Sequence, residues 1–118
     1  MSRHDDRVRL RHMVDHAREA MTMLSGHRRE DLDRDRKLNL ALVRLLEVVG
    51  EAAARIEPGV QAQITGVPWS QVIGMRHRLI HGYDDVDFGI LWQIVREDLP
   101  PLVSAIDAFL AAAPTDPR

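Results

Sequence analysis

The stretch "DLDRDRKLNLALVRLLEVVGEAAARI", residues 31 to 56, is the strongest helical pattern in the chain. Its apolar residues recur at spacings of four and three, as on one buried face of an α-helix: Leu38, Leu42, Leu45, Val49, Ala52 and Ile56. A second apolar stripe runs beside the first: Val43, Leu46, Gly50 and Ala53. We therefore predict one long helix that packs on two sides, with Gly50 allowing a neighbouring helix to come close. A second copy of the chain is one candidate for either side.

The composition of the whole chain agrees with a helical fold. Hydrophobic residues make up 45% and charged residues 29% of the 118 residues, and aromatic residues are few. This balance favours helices and argues against disorder. The length indicates a single core, so we predict one all-α domain over residues 1–113, an up-and-down bundle of four to five helices. Residues 114–118, "PTDPR", are predicted to form a flexible tail.

The remaining helices are predicted from their periodicity and from their start and stop signals. A first helix is expected over residues 5–24, and a third from Pro68 to about His81 with Gly82 as its C-terminal cap. Asp87 is expected to cap a fourth helix, and Pro100-Pro101 to break or kink the chain before the last one. The mixed charges of residues 27–37 indicate a solvated helix start rather than a phosphate-binding patch.

Several classes of protein are disfavoured by composition. The chain has no cysteine, which excludes disulfides and cysteine-based zinc sites and favours a reducing compartment. It shows neither a signal core nor a run of about 20 apolar residues, so we predict a cytoplasmic protein that does not enter membranes. The formal net charge is -2, so any affinity for nucleic acid must come from a local cluster of arginines.

Arg76 is the unusual residue of the predicted third helix. On a helical wheel it lies at the centre of an apolar stripe, where a guanidinium needs paired acceptors or an anionic ligand. One interpretation is structural: Arg76 pairs with Glu47 or Glu51, or its stem packs while its head reaches water. The other interpretation is a phosphate site. Glu47 and Glu51 themselves are better explained by salt bridges to Arg44 and Arg55 than as a catalytic pair.

His81 strengthens the phosphate interpretation, because histidine both accepts and donates protons near neutral pH. Cleavage of RNA by its own 2'-hydroxyl needs a base, an acid and a cation for the developing negative charge. Each chain offers one suitable His and one Arg, and the two lie about 140° apart on a helix. Two chains would supply all three groups, so a homodimer is predicted.

Metal binding is the alternative for the histidines. His77 and His81 are four residues apart, as are His12 and His16, and this spacing lets two imidazoles share one metal. Neither pair belongs to a zinc motif, and the sequence identifies no third ligand. We therefore predict neither a metal nor another cofactor.

Residues 73–102, "IGMRHRLIHGYDDVDFGILWQIVREDLPPL", closely resemble the signature region of the HepT-like branch of the HEPN domain family. The motif of that branch is an Arg, a polar residue, three further positions and then His-X-Tyr. Here those residues are Arg76, His77, His81 and Tyr83, although the polar residue is more commonly Asn. Residues 44–53, "RLLEVVGEAA", are similar to the family's second helix, and the resemblance covers most of residues 5–112.

The resemblance implies a helical homodimer whose two motifs face one another across a cleft. It implies a metal-independent ribonuclease that acts as the toxin of a toxin-antitoxin pair. Arg76 would hold the scissile phosphate, His81 would transfer protons, and His77 would support their positions. Tyr83 would either pack, stack on an RNA base, or be adenylylated by a MntA-like nucleotidyltransferase antitoxin. The alternative function is a catalytically silent HEPN module that binds a nucleotidyltransferase partner or a nucleotide.

Overall fold

The computed structural model describes residues 3–112, and all regular secondary structure in that range is helical. The elements are α1 (Arg3–Leu24), α2 (Asp31–Arg34), α3 (Arg36–Ala54), α4 (Pro58–Gln63), α5 (Trp69–Ile73), α6 (Met75–Leu79), α7 (Phe88–Gln93), a π-helical turn (Ile94–Asp98) and α8 (Leu99–Ala112). The prediction of an all-α fold is confirmed. The domain boundary at residue 113 and the tail over residues 114–118 lie outside the described residues and stay predictions.

Helix α1 packs lengthwise against α3 and α8 and supplies one wall of the core. It begins two residues before the predicted start and ends where predicted, with Gly26 just beyond it at a φ of 82°. The buried side chains of α1 recur at helical spacing: Leu10, Met13, Ala17, Ala20 and Leu24. Burial of this apolar stripe stabilises the α1–α3 contact.

Helix α3 packs on two sides, as predicted, and both sides are covered by the same chain. One side meets α1, and the other meets α5 and α6. The fully buried positions combine members of the two predicted stripes: Leu38, Leu42, Leu46, Val49 and Ala53. The two-sided apolar pattern therefore arises from intrachain packing and does not itself require a second copy.

The predicted helix over residues 31–56 is interrupted at Asp35, so the prediction of one continuous helix was wrong there. Asp35 has an extended backbone, and its carboxylate accepts a hydrogen bond of 3.0 Å from the backbone N–H of Leu38. It is thus the N-cap of α3, a role that competes with helix continuation. The buried Asn39 donates to the carbonyl of Leu32 at 2.9 Å and ties α2 to α3.

Gly50 lets a neighbouring helix come close to α3, as predicted, and that helix is α5. A Cβ atom on Gly50 would lie 3.1 Å from the carbonyl oxygen of Val72 and 3.6 Å from that of Ile73. Both atoms belong to backbone, so they cannot yield as a flexible side chain would. The absence of a side chain at Gly50 therefore sets how closely the site-bearing helices α5 and α6 lie to α3.

Gly50→Val should lower the free energy of unfolding by about 1–3 kcal/mol, because the larger side chain overpacks the α3–α5 contact. Chemical denaturation measures this change. Gly59→Ala in α4 is the matched control, since a Cβ there meets nothing within 4 Å. The control should change stability by less than about 1 kcal/mol. Equal stabilities of the two variants would contradict the assigned close approach.

The predicted third helix is two short helices, α5 and α6, separated at Gly74. It also ends earlier than predicted, because Ile80 is extended and forms an isolated antiparallel bridge with Val86. Gly82 consequently lies in the loop between these two residues and is not a helix cap, which corrects the prediction. A further difference is the short helix α4, which lies between the predicted second and third helices. The carbonyl of Gln61 in α4 accepts a 2.9 Å hydrogen bond from the indole N–H of Trp69.

Pro100 and Pro101 do not break the helical run, so of the two predicted effects, a break or a kink, the break was wrong. Helix α7, the π-helical turn and α8 follow one another without a gap from residue 88 to 112. A proline ring clashes with the carbonyl four residues earlier, and those carbonyls belong here to Arg96 and Glu97. Both residues lie inside the π-helical turn, whose wider backbone accommodates the prolines.

No helix in the part of the chain that the structure describes is both long and apolar enough to cross a bilayer.

Candidate functional site

Arg76 lies on the surface of α6 rather than within an apolar stripe. Its side chain is 66% exposed. The buried face of α5 and α6 is formed instead by Val72, Met75 and Leu79. The break at Gly74 changes the rotation of α6 relative to one continuous helix, so the helical-wheel position predicted for Arg76 was wrong.

The Arg76 guanidinium is held by a carboxylate from α3. Its Nη1 donates a hydrogen bond of 3.0 Å to Oε2 of Glu47, whose side chain is 18% exposed. The other oxygen of Glu47, Oε1, lies 3.8 Å from Nη1 of Arg44, which also approaches Glu51 at 4.0 Å. Of the structural alternatives for Arg76, the structure shows the pairing with Glu47, and the charges of Arg44, Arg76, Glu47 and Glu51 balance one another.

His81 lies just beyond α6 in the loop that precedes α7. Its backbone N–H donates to the carbonyl of Asp85 at 2.8 Å, and its half-exposed imidazole directs Nε2 toward Oδ2 of Asp87 at 3.8 Å. That distance suits an ion pair with the imidazolium but is too long for a hydrogen bond. Because the helix ends before His81, the predicted angular separation from Arg76 on one helix does not apply.

Asp87 fastens this loop at several points and was not among the predicted site residues. Its Oδ1 accepts a 3.0 Å hydrogen bond from the N–H of Ile90, which confirms Asp87 as the N-cap of α7. Its own N–H donates to the carbonyl of Leu79 at 2.8 Å. Its second carboxylate oxygen is left facing His81. The capping pattern was visible in the sequence, but the approach to His81 depends on how the loop folds back.

His77 and Arg78 follow Arg76 on α6 but point to different surroundings. Arg78 forms an ion pair of 3.3 Å with Asp98 of the π-helical turn, and so links α6 to the last helical run. His77 is exposed. It lies within α6 whereas His81 does not, so the two are not successive turns of one helix. Across residues 3–112, no group of three or more His, Asp or Glu side chains is arranged to hold a metal.

Tyr83 projects from the loop into solvent. Its relative exposure of 103% rules out the predicted packing at the end of an apolar stripe. The neighbouring Asp84 lies 3.6 Å from Arg36 at the start of α3. The loop therefore presents a phenol next to several carboxylates, within reach of any large molecule that approaches this side of the protein.

The four predicted site residues are thus all exposed and lie within residues 76–83, at and just beyond the end of α6. Within the described range, no hydrogen bond joins Arg76, His77, His81 and Tyr83 to one another. Arg76 faces Glu47 of α3, and His81 faces Asp87, the N-cap of α7. An exposed guanidinium and an exposed imidazole are groups that bind phosphate and transfer protons.

Comparison with known proteins shows to which family the chain belongs. The family model described as "Ribonuclease HepT-like" matches residues 13–109, a range that contains Arg76, His81 and both of their acidic partners. The chain belongs to the HepT-like ribonuclease family. The family predicted from the signature region is therefore confirmed, and the match extends over most of the HepT-like chain, including the α3 residues that contact Arg76.

Two of the relatives of this HepT-like protein cover most of its length, and a third covers a shorter part at higher identity. "Putative RNase MJ1380" of Methanocaldococcus jannaschii is 28% identical, covering 91% of the chain and 98% of the relative. "Putative RNase TTE0752" of Caldanaerobacter subterraneus subsp. tengcongensis is 31% identical over 86% and 90%. "Probable ribonuclease HepT" of Thermococcus cleftensis is 40% identical over 62% of the chain and 66% of the relative. No solved structure gives a significant match.

Proposed function

We propose that the protein is a metal-independent endoribonuclease in which Arg76 binds the scissile phosphate and His81 transfers protons. The observation that carries this proposal is an exposed guanidinium and a half-exposed imidazole, each facing an acid: Arg76 with Glu47 at 3.0 Å and His81 with Asp87 at 3.8 Å. Membership of a ribonuclease family supports the same substrate class.

The proposed reaction breaks one phosphodiester bond and forms another. A neutral His81 removes the proton from the RNA 2'-hydroxyl, and the 2'-oxygen attacks the adjacent phosphorus. The bond from phosphorus to the 5'-oxygen then breaks, and an imidazolium gives that oxygen a proton. The products are a 2',3'-cyclic phosphate and a 5'-hydroxyl. Arg76 stabilises the charge of the phosphorane, and the exposed His77 supports the position of the RNA backbone beside it.

The proposed active form is a homodimer, because one chain has a single signature histidine and the reaction needs both an acid and a base. A second His81, from the other copy, would serve as the acid.

We propose that the biological role is that of a toxin controlled by a MntA-like nucleotidyltransferase antitoxin. The full exposure of Tyr83 supports this regulation, since a modifying enzyme must reach the phenol oxygen. That oxygen would attack the α-phosphorus of ATP and release pyrophosphate, which leaves AMP attached to Tyr83. The added bulk and negative charge would then repel RNA from His81, two residues away. In the absence of adenylylation, Tyr83 is placed to stack on an RNA base.

Cleavage of RNA in the presence of EDTA tests the enzymatic proposal. The purified protein should cut single-stranded RNA with chelator present and leave 2',3'-cyclic phosphate ends, detectable by mass spectrometry. A requirement for divalent metal would contradict the mechanism and return His77 and His81 to consideration as ligands. No cleavage at any protein concentration would favour the alternative, a silent module that binds a nucleotidyltransferase partner or a nucleotide.

A further inference from the structure

We infer that Glu47 is a positioning residue, which fixes the guanidinium of Arg76 for the scissile phosphate without contacting the RNA itself. This inference rests on the proposed function, because it assigns Glu47 a part in the same reaction. It differs from a purely structural salt bridge, since the consequence of losing Glu47 should be seen in the rate of cleavage and not only in stability.

The contact between the two side chains leaves most of the guanidinium available. Glu47 accepts one hydrogen bond, from Nη1 of Arg76, at 3.0 Å. Within residues 3–112, Arg76 has no other hydrogen bond or ion pair. An arginine carries five N–H donors in a planar fork, so a second edge remains for two parallel hydrogen bonds to a phosphate. Glu47 therefore orients Arg76 without occupying all of its binding surface.

Glu47, which holds Arg76, is more buried than Arg76 itself. The Glu47 side chain is 18% exposed, whereas that of Arg76 is 66% exposed. Glu47 projects from α3, the helix that packs against α1, α5 and α6, and its second oxygen faces Arg44 at 3.8 Å. Without this anchor, a long exposed arginine samples many rotamers, and that freedom must be lost when the arginine binds a phosphate.

Glu47 is shared between two arginines, so its charge is not directed at Arg76 alone. Arg44 and Arg76 both lie within 4 Å of Glu47, and an approaching phosphate would meet the exposed guanidinium of Arg76 before the more buried carboxylate. Glu51, one turn further along α3, is 65% exposed and approaches Arg44 at 4.0 Å, which balances the charge of that second arginine. Glu51 is thus a carboxylate of the same helix and charge that lacks the contact with Arg76, and it provides the matched control.

The test compares Glu47→Ala, Glu47→Gln and Glu51→Ala by steady-state cleavage of an RNA oligonucleotide. Glu47→Ala should lower kcat by about 10- to 100-fold, because misplacing a binding group by about 1 Å has effects of up to that size. KM should change little. Glu47→Gln keeps an oxygen acceptor for Arg76 and should recover most of the rate, and Glu51→Ala should match the wild type. Circular dichroism checks that each variant is folded.

A double variant separates positioning from a general structural effect. When Arg76 is already replaced by Ala, adding Glu47→Ala should cause no further loss of activity, since the group to be positioned is absent. Additive losses would overturn the inference. So would equal rates for Glu47→Ala and Glu51→Ala, or a faster Glu47→Ala, which would make the carboxylate a competitor of phosphate. Full activity of Arg76→Ala alone would instead refute the proposed function.

Discussion

Replacement of His81 by Ala should reduce the rate of RNA cleavage by about 10²–10⁴-fold, the usual contribution of a general acid–base group. The reduction should appear in kcat, because the half-exposed imidazole acts on the reacting oxygens and is not needed to hold the rest of the RNA. The measurement is the initial rate of cleavage of a labelled oligonucleotide. His12→Ala on α1 is the matched control, since His12 lies outside the signature region and is exposed.

A subunit-mixing experiment tests whether the two copies of His81 act in the same site. If the two copies of His81 serve as base and acid of one reaction, a dimer with one altered chain is inactive as well. After exchange with an equal amount of His81→Ala protein, only about a quarter of randomly paired dimers keep two intact chains. The activity per wild-type chain should then fall by about half relative to a dilution with buffer. Unchanged activity per wild-type chain would contradict a shared site.

Replacement of Arg76 by Ala should lower kcat by about 10²–10³-fold, because one preformed donor to the developing charge is worth that much in comparable sites. Arg76→Lys should restore part of the rate only, since an ammonium keeps the charge but not the two parallel hydrogen bonds. Arg11→Ala, at an exposed position of α1, controls for the loss of one positive charge. The rates are measured at fixed ionic strength, because charge contacts with RNA depend on salt.

The stability of the Arg76 variants provides an independent check. Arg76 is an exposed residue with one ion pair, and surface pairs of this kind contribute about 0–1 kcal/mol. Thermal unfolding of Arg76→Ala should therefore be close to that of the wild type. A variant that is both unfolded and inactive would show that Arg76 supports the fold, contrary to the assigned role in phosphate binding.

Much of the helical framework was predictable because it depends on interactions close in sequence. The apolar periodicity located α1 and most of α3, and the capping side chain of Asp87 located the start of α7. The small size of Gly50 indicated a close helix contact, which the structure assigns to α5. The family signature came from resemblance, whereas Arg76 was first singled out by its helical-wheel position and His81 by its chemistry.

The wrong predictions of helix boundaries have one cause in common. At each of these positions, two local backbone conformations compete. Asp35 could continue a helix or cap a new one, and the hydrogen bond to Leu38 decided for the cap. Gly74 could continue the third helix, but the chain bends there and turns Arg76 outward. The two prolines suggested a break, yet a π-helical turn before them absorbs the steric clash. Such choices differ by little free energy, so packing decides them.

The sequence by itself determined the helical class, the stripes that form the core, the family and the chemical types available to the site. Only the tertiary structure decided that Arg76 is exposed and held by Glu47, 29 residues earlier, and that Asp87 turns one carboxylate oxygen toward His81. The physical reason is the distance along the sequence over which each interaction acts. Helical periodicity and capping act within a few residues, whereas the orientation of these side chains depends on how α3, α6 and the loop before α7 pack together.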